Sequence, residues 1–329
     1  MRMKGLWLMF MAVCFCLQVG AQNSDSMYVR KAFEKARKDD FTGAIELYQK
    51  ALKINPTNYP TYTYISTCYF SLGERGKAED NIKGLLNKHP NEWAAHKAAC
   101  KYYVLTKQFY EALDLAESAV KKFANEHDTV RINLLCNLGN RRQDMMDYTG
   151  GKNSYMIAHA IDSSNTDVWY CLAGIFGDLG KPDSSIYYYR KIIQKKPDDI
   201  LHCNNLGYLY NTLGRFDEAI QLYDKAILEV DKNKSLIGIK YSLYTIGLLH
   251  SNHGYALYKK GNYKKALKEF QESIEYYPTN SYVYRNRALL YVEQKKYDEA
   301  CKDLNFAIAL GFADQYGPEV DELIAKHCQ

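Results

Sequence analysis

Much is missing from this 329-residue chain, and each absence narrows what it can be. No basic run is long enough to follow a phosphate backbone. The 43 Lys and Arg are interspersed with 38 Asp and Glu, for a formal net charge of +5, so a nucleic-acid partner is not expected. There is no Gly-x-Ser-x-Gly elbow, no His-Glu-x-x-His pair and no glycine-rich phosphate loop opening a helix. Gly150-Gly151-Lys152-Asn153-Ser154 has the composition of such a loop, but its spacing is wrong and no strand precedes it. The carboxylates of Asp217-Glu218 and Asp298-Glu299 are explained by helix starts, where negative charge is favoured. With no convergent acid, base or nucleophile, the chain is expected to be non-catalytic and to need no cofactor. His250 and His253 stand three apart on one helix without an evident third ligand, so no metal centre is expected. Proline is scarce, at 7 residues, and after the first 21 residues no segment is apolar enough to cross a membrane.

What is present begins with a leader. Arg2 and Lys4 form a short positive region, 5–17 is uncharged and apolar, and Val19-Gly20-Ala21 offers small residues for cleavage ahead of polar Gln22-Asn23-Ser24-Asp25. The apolar stretch is shorter than the ~20 residues that span a bilayer, so 1–21 reads as a cleaved signal peptide. Val13 before Cys14 is a poor match to a lipid-attachment site. Export is therefore expected, to the periplasm if the source is a Gram-negative bacterium, with secretion or lipid anchoring less favoured. Without Arg2 and Lys4 the net charge is +3, from 41 basic and 38 acidic residues. The remainder carries 30 Tyr, whose apolar body and polar tip suit half-buried positions on many small interfaces.

A repeat organises the rest. An aromatic residue stands three before a small one in Phe41-Thr-Gly-Ala44, Phe109-Tyr-Glu-Ala112, Phe216-Asp-Glu-Ala219, Tyr263-Lys-Lys-Ala266 and Tyr297-Asp-Glu-Ala300, and Ala78, Gly151 and Ser185 fill the small slot in weaker copies. Successive slots are 34, 34, 39, 34, 34, 47 and 34 residues apart, a period that marks a helical repeat array. Pro56, Pro90, Pro197 and Pro278 fall between copies, where proline ends a helix. Gly73, Gly180, Gly214 and Gly261 fall in the turn inside a copy. Leu206-Gly207, Tyr210, Gly214, Phe216, Ala219, Tyr223 and Ala226 make the fullest copy. On these residues the chain resembles the tetratricopeptide repeat family over 25–314. The resemblance implies an all-α fold, a right-handed α-solenoid of about eight helical hairpins near 25–58, 59–92, 93–126, 132–165, 166–199, 200–233, 247–280 and 281–314. The segment 318–328, with Pro318 at its start and Val320, Leu323 and Ile324 on one stripe, reads as a capping helix.

Two places break the period. The fourth copy is degenerate, and its Gly150-Gly151 pair is expected to weaken the start of its second helix by ~1 kcal/mol per glycine, making either a flexible joint or a locally looser but rigid copy. The thirteen extra residues near 235–246 read as an N-terminal extension of the seventh copy's first helix, which either packs on a prolonged helix ending near Glu229 and Lys232 or offers a patch to a partner or a second copy of the chain. Of nine cysteines, Cys14 and Cys16 leave with the leader, while Cys68, Cys100, Cys136, Cys171 and Cys203 lie on first helices as small hydrophobes. In an oxidising compartment Cys301 and Cys328 are expected to form a disulfide that clasps the cap.

In the family the first helices line a concave groove for a partner peptide or helix. Matching repeat positions place Lys97, Lys101, Asn140, Gln143, Tyr170, Asn204, Tyr208, Asn211, Ser251, Tyr255 and Arg285 there. Lys97 and Asn140 fit parts of the family's clamp for a C-terminal carboxylate, but Cys136, Asp167 and Gly174 break it. The expected function is an exported scaffold or adaptor binding a protein or peptide. The alternative is an accessory subunit that binds glycan or cell-wall polymer through the tyrosine-rich groove.

Overall fold

A computed structural model describes residues 24–238 and 240–328, so the leader expected at 1–21 and Ile239 of the expected extension lie outside the described residues. These residues form α1 (Ser24–Ala36), α2 (Phe41–Ile54), α3 (Tyr59–Ser71), α4 (Arg75–Lys88), α5 (Trp93–Leu105), α6 (Phe109–Lys122), α7 (Asp128–Asp144), α8 (Tyr148–Ile161) and α9 (Thr166–Asp178). There follow α10 (Pro182–Lys195), α11 (Ile200–Thr212), α12 (Phe216–Lys232), α13 (Leu243–Lys259), α14 (Tyr263–Tyr276), α15 (Ser281–Glu293), α16 (Tyr297–Ala309), α17 (Phe312–Tyr316) and α18 (Glu319–His327). Among the described residues there is no β-strand, only an isolated bridge between Ile237 and Tyr241. Two compact units are present, one running to Lys181 and the other from Pro182, a boundary that falls inside the copy expected at 166–199.

The turns inside the copies are built in one way. A left-handed residue stands at Asp39, Gly73, Lys107, Met146, Gly180, Gly214, Gly261 and Lys295, spaced 34, 34, 39, 34, 34, 47 and 34 apart. The residue after it returns its N–H to the end of the first helix, as from Glu74 to the Tyr69 carbonyl (2.9 Å) and from Arg215 to the Tyr210 carbonyl (2.8 Å). That bond satisfies a carbonyl the helix end would leave unpaired. The second helix then opens two residues past the left-handed one, at Phe41, Arg75, Phe109, Tyr148, Pro182, Phe216, Tyr263 and Tyr297. Helices α2, α4, α10 and α14 close two residues before Pro56, Pro90, Pro197 and Pro278.

Inside a hairpin the two helices approach through a small residue under an aromatic ring. A Cβ on Gly207 of α11 would lie 2.5 Å from the Tyr223 ring of α12, one on Gly139 of α7 would lie 2.3 Å from Tyr155 of α8, and one on Gly254 of α13 would lie 2.6 Å from Phe270 of α14. Those three rings are fully buried. Gly151 answers to the same constraint: a Cβ there would lie 3.1 Å from the Gly139 carbonyl and 3.3 Å from Ile175. The joint expected at Gly150-Gly151 is instead a continuous helix whose N-cap, Asp147, accepts the Gly150 N–H at 2.8 Å. Lack of room, rather than looseness, accounts for Gly151.

The last unit's core runs without a gap from Leu257 through Phe270, Val283, Ala288 and Leu304 to Phe312 and Val320. Leu323 and Ile324 pack on it from α18, so the capping helix covers an apolar flank that would otherwise face water. In the structure Cys301 and Cys328 are bonded, with Cα atoms 5.6 Å apart.

The extension expected over 235–246 is corrected. Lys234–Leu236 form one 3-10 turn, Gly238 takes a left-handed φ of 80°, Ser242 is extended, and the helix begins only at Leu243. The left-handed glycine breaks any helical path through the segment. The segment packs locally. Tyr241 is buried, its hydroxyl donates to the Glu229 carboxylate at 3.2 Å, and Lys240 pairs with Asp198 at 2.6 Å. Part of the spare length goes into 17-residue helices on both sides, α12 and α13, and the rest into the loop between them.

Candidate functional site

In the first unit, α5, α7 and α9 carry Lys97 and Lys101, Asn140 and Gln143, and Tyr170. This face is polar and internally tied. Lys97 Nζ donates to Asn133 Oδ1 at 3.2 Å and lies 6.0 Å from the centre of the Trp93 ring. The Tyr155 hydroxyl, rising between the helices, donates to Asn140 Oδ1 at 2.5 Å and lies 3.2 Å from Gln143 Oε1. Gln143 also donates to the Asp178 carboxylate of α9. Tyr170 is exposed and Lys101 is half-buried.

In the second unit three of the residues expected in the groove turn out to be interior. Asn204, Asn211 and Ser251 are 4%, 7% and 1% exposed. Asn204 Oδ1 accepts from Asn252 at 3.0 Å, and Asn211 Nδ2 donates to the Tyr223 hydroxyl at 3.1 Å and the Asn252 carbonyl at 2.9 Å. These amides join α11 to α12 and α13. They are withdrawn from any groove surface, because a buried amide is costly unless its hydrogen bonds are made within the protein. Arg285 is half-buried and committed. Its guanidinium forms a two-point ion pair with Glu319 of the capping helix and lies 5.6 Å from the centre of the Tyr282 ring.

What remains on this unit is a set of tyrosines from four helices. Tyr208 (α11), Tyr244 (α13) and Tyr316 (α17) are 52%, 42% and 54% exposed, and Tyr255 (α13) and Tyr282 (α15) are half-buried. Tyr282 meets Tyr316 edge-to-face at 5.0 Å and Phe312 at 5.5 Å, Tyr244 meets Tyr277 at 4.9 Å, and Tyr255 meets Phe216 at 6.4 Å. Burial first raises the Tyr282 pKa, the Arg285 charge opposes this, and the neighbouring hydroxyls of Tyr208 and Tyr255 add to the rise. Burial likewise raises Tyr316, followed by Tyr244, Tyr282 and Tyr208. The hydroxyls of Tyr208, Tyr244 and Tyr255 thus lie near enough to the Tyr282–Tyr316 pair to act on it. Arg285, which would otherwise give that surface a positive charge, is neutralised by Glu319. The result is a neutral surface of ring faces and hydroxyls, suited to stacking and hydrogen bonding rather than to holding an anion.

Tyr282 and Tyr316 are not among the residues expected from the sequence. Tyr282 occupies the second position of its copy, the same place as Asp167, so its repeat position was a usable signal. Tyr316 lies in the short helix after the last copy, where the repeat pattern assigns no role. Two open cavities of about 500 and 630 Å³ lie elsewhere, on α10 to α12, lined by Tyr187, Arg190, Gln194, Arg215 and Glu218. Arg215 and Arg190 are there paired with Glu218.

A second cluster joins α13 to α14. Glu269 lies between His250 and His253, with His250 Nδ1 2.7 Å and His253 Nδ1 3.3 Å from the same carboxylate oxygen, and the Tyr276 ring stacks on His250 at 5.7 Å. Burial pushes the Glu269 pKa up, but the two imidazoles outweigh it and hold the pKa at about 2. The histidines that stood without a third partner in the sequence therefore share a carboxylate that the fold brings from the next helix.

Tetratricopeptide-repeat models match residues 36–102, 203–228, 247–280 and 269–302. A TPR repeat-containing protein of Methanocaldococcus jannaschii is 22% identical, over 91% of this chain and 63% of its own length. Among solved structures, yeast Tom70 is similar with a TM-score of 0.65 at 14% identity, over 94% of this chain and 65% of Tom70. The APC/C hetero-tetramer Cut9-Hcn1 is similar with a TM-score of 0.59 at 17% identity, over 90% of this chain and 54% of the matched chain. The chain thus spans less than two thirds of each of these proteins, and likeness at such identities speaks for the fold alone. Left-handed turns at the repeat spacing, small residues under aromatic rings and four family matches lead to one conclusion: this chain carries tetratricopeptide repeats.

Proposed function

We propose that this chain is an exported, non-catalytic scaffold that holds an extended segment of a partner protein on the tyrosine surface of its second unit. The observation that carries this reading is the convergence of Tyr208, Tyr244, Tyr255, Tyr282 and Tyr316 on a surface whose neighbouring guanidinium, that of Arg285, is already paired. Aromatic side chains dominate the energetics of protein interfaces because each gives a large rigid contact with few rotamers to freeze. Their hydroxyls can bond a peptide backbone without demanding a particular sequence. The resemblance to scaffolds in general supports the same reading, as does the presence of a second protein, Hcn1, beside the similar Cut9. Export rests on the leader read at 1–21.

The test places a photo-crosslinking phenylalanine analogue at Tyr208 or Tyr282 in the source cells, with Tyr110 of α6, which is 75% exposed, as the control position. Protease-sensitive adducts of discrete mass are expected from the first two positions and not from the third. Tyr208→Ala with Tyr255→Ala should abolish the Tyr282 adduct while leaving helicity and melting unchanged. Adducts that survive protease would favour the glycan-binding alternative. Adducts from Tyr110 alone would move the contact surface elsewhere.

A further inference from the structure

Two of the free thiols in the first unit, neither used by the scaffold function, lie on neighbouring helices. Cys136 lies on the stripe of α7 that continues through Asn140 and Gln143, and Cys171 lies on the stripe of α9 that runs from Asp167 through Gly174 to Asp178. The two helices pack directly, and Gln143 of one is hydrogen-bonded to Asp178 of the other, 35 residues apart in sequence. Two turns back along both helices, at the same separation of 35, Cys136 and Cys171 come opposite each other. The two sulfurs are near enough there for the Cys171 thiol to stabilise a Cys136 thiolate by hydrogen bonding. Both residues are half-buried, whereas Cys68, Cys100 and Cys203 are buried.

We propose that Cys136 and Cys171 are a reversible disulfide site, oxidised by exchange with a low-molecular-weight disulfide. The Cys136 thiolate attacks one sulfur of that disulfide, forms a mixed disulfide and releases one thiolate. The Cys171 thiol then gives up its proton and attacks the Cys136 sulfur, closing the protein disulfide and releasing the second thiolate. Two protein thiols are oxidised and one small disulfide is reduced to two thiols, so electrons and atoms balance. The order follows from the surroundings. The hydrogen bond from Cys171 holds Cys136 below the ordinary thiol range, with burial and Asp167 opposing and Lys97 assisting. The same bond pushes Cys171 up, together with burial and Asp167. Tyr155 is a further titratable group beside the pair. A thiol that is both more ionised and half-exposed attacks first. By contrast, burial pushes Cys68 up to about 12 and both Cys100 and Cys203 up to about 11, which leaves these three inert. The closed bond would tie α7 to α9 across the polar face that bears Asn140, Gln143 and Tyr170.

The full chain equilibrated with oxidised glutathione, quenched with an alkylating reagent and digested without reduction tests this. Of the five free cysteines among the described residues, two should become unavailable to alkylation, with a single linked peptide pair joining Cys136 to Cys171. Cys171→Ser should instead trap one glutathione on Cys136, and Cys136→Ser should take up glutathione at Cys171 at least tenfold more slowly. Unchanged helicity of both variants would confirm that folding is intact. Separate glutathione adducts on both cysteines without a link, or full alkylation of both after oxidation, would overturn the proposal.

Discussion

At the scale of single residues, the hairpins depend on side chains that are absent. Gly207 leaves room for the Tyr223 ring, and Gly207→Ala would force a methyl group to within 2.5 Å of it. Overpacking of this kind costs ~1–3 kcal/mol, so the midpoint of urea unfolding should fall. Gly174, on a helix of the other unit, faces open space: a Cβ added there would meet nothing within 4 Å. Gly174→Ala should therefore stabilise by about 0.5–1 kcal/mol through helix propensity alone, and the opposite sign of the two substitutions separates packing from propensity. Glu269 sets an acid limit. Its carboxyl is held at about 2 in the folded chain against an ordinary 4.5, so it binds a proton more readily when unfolded. Its stabilising contribution is complete above pH 4.5 and is lost as pH falls through about 2. Glu269→Gln should remove that part of the acid-induced fall in melting temperature, seen as a flatter Tm profile between those two pH values.

At the scale of elements, one turn serves every hairpin, but not every hairpin gives it the residue it favours. Gly73, Gly180, Gly214 and Gly261 adopt the left-handed conformation freely, whereas Asp39, Lys107, Met146 and Lys295 hold it at φ near 60° with a Cβ in place. The left-handed region costs a non-glycine residue ~1–2 kcal/mol, of which the greater freedom of unfolded glycine cancels part. Lys107→Gly should therefore stabilise the chain by about 0.5–1 kcal/mol, measured as a rise in thermal or urea midpoint, while Gly73→Lys should do the reverse by a similar amount. The loop before α13 shows the same device to another end. Gly238 turns the chain sharply, so that Tyr241 can bury its ring and reach Glu229 instead of continuing a helix upstream of Leu243.

At the scale of the molecule, a hairpin hides its apolar flank only against its neighbours, so damage should spread by adjacency. Phe270 is fully buried in a core shared by Leu257, Val283 and Ala288. Phe270→Ala should cost ~3–5 kcal/mol and raise hydrogen exchange in α13 to α15. Exchange in α1 to α6 should stay unchanged, because none of those helices contributes to that core.

The repeat period, the left-handed turns, the helix-ending prolines and the small residues beneath the rings were determined by the sequence alone. Each is a local or nearest-neighbour requirement, written at fixed spacing in the residues that satisfy it. Only the tertiary structure decided which side chains of a first helix face outward. Asn204, Asn211 and Ser251 hold groove positions by count, yet all three are buried, and the two amides are held inward by bonds that exist only once α11, α12 and α13 are packed. Tyr316 joins the tyrosine surface from outside the repeat, and Glu269 comes between two histidines from the following helix. These juxtapositions depend on distance in space, which a periodic pattern along the chain does not encode.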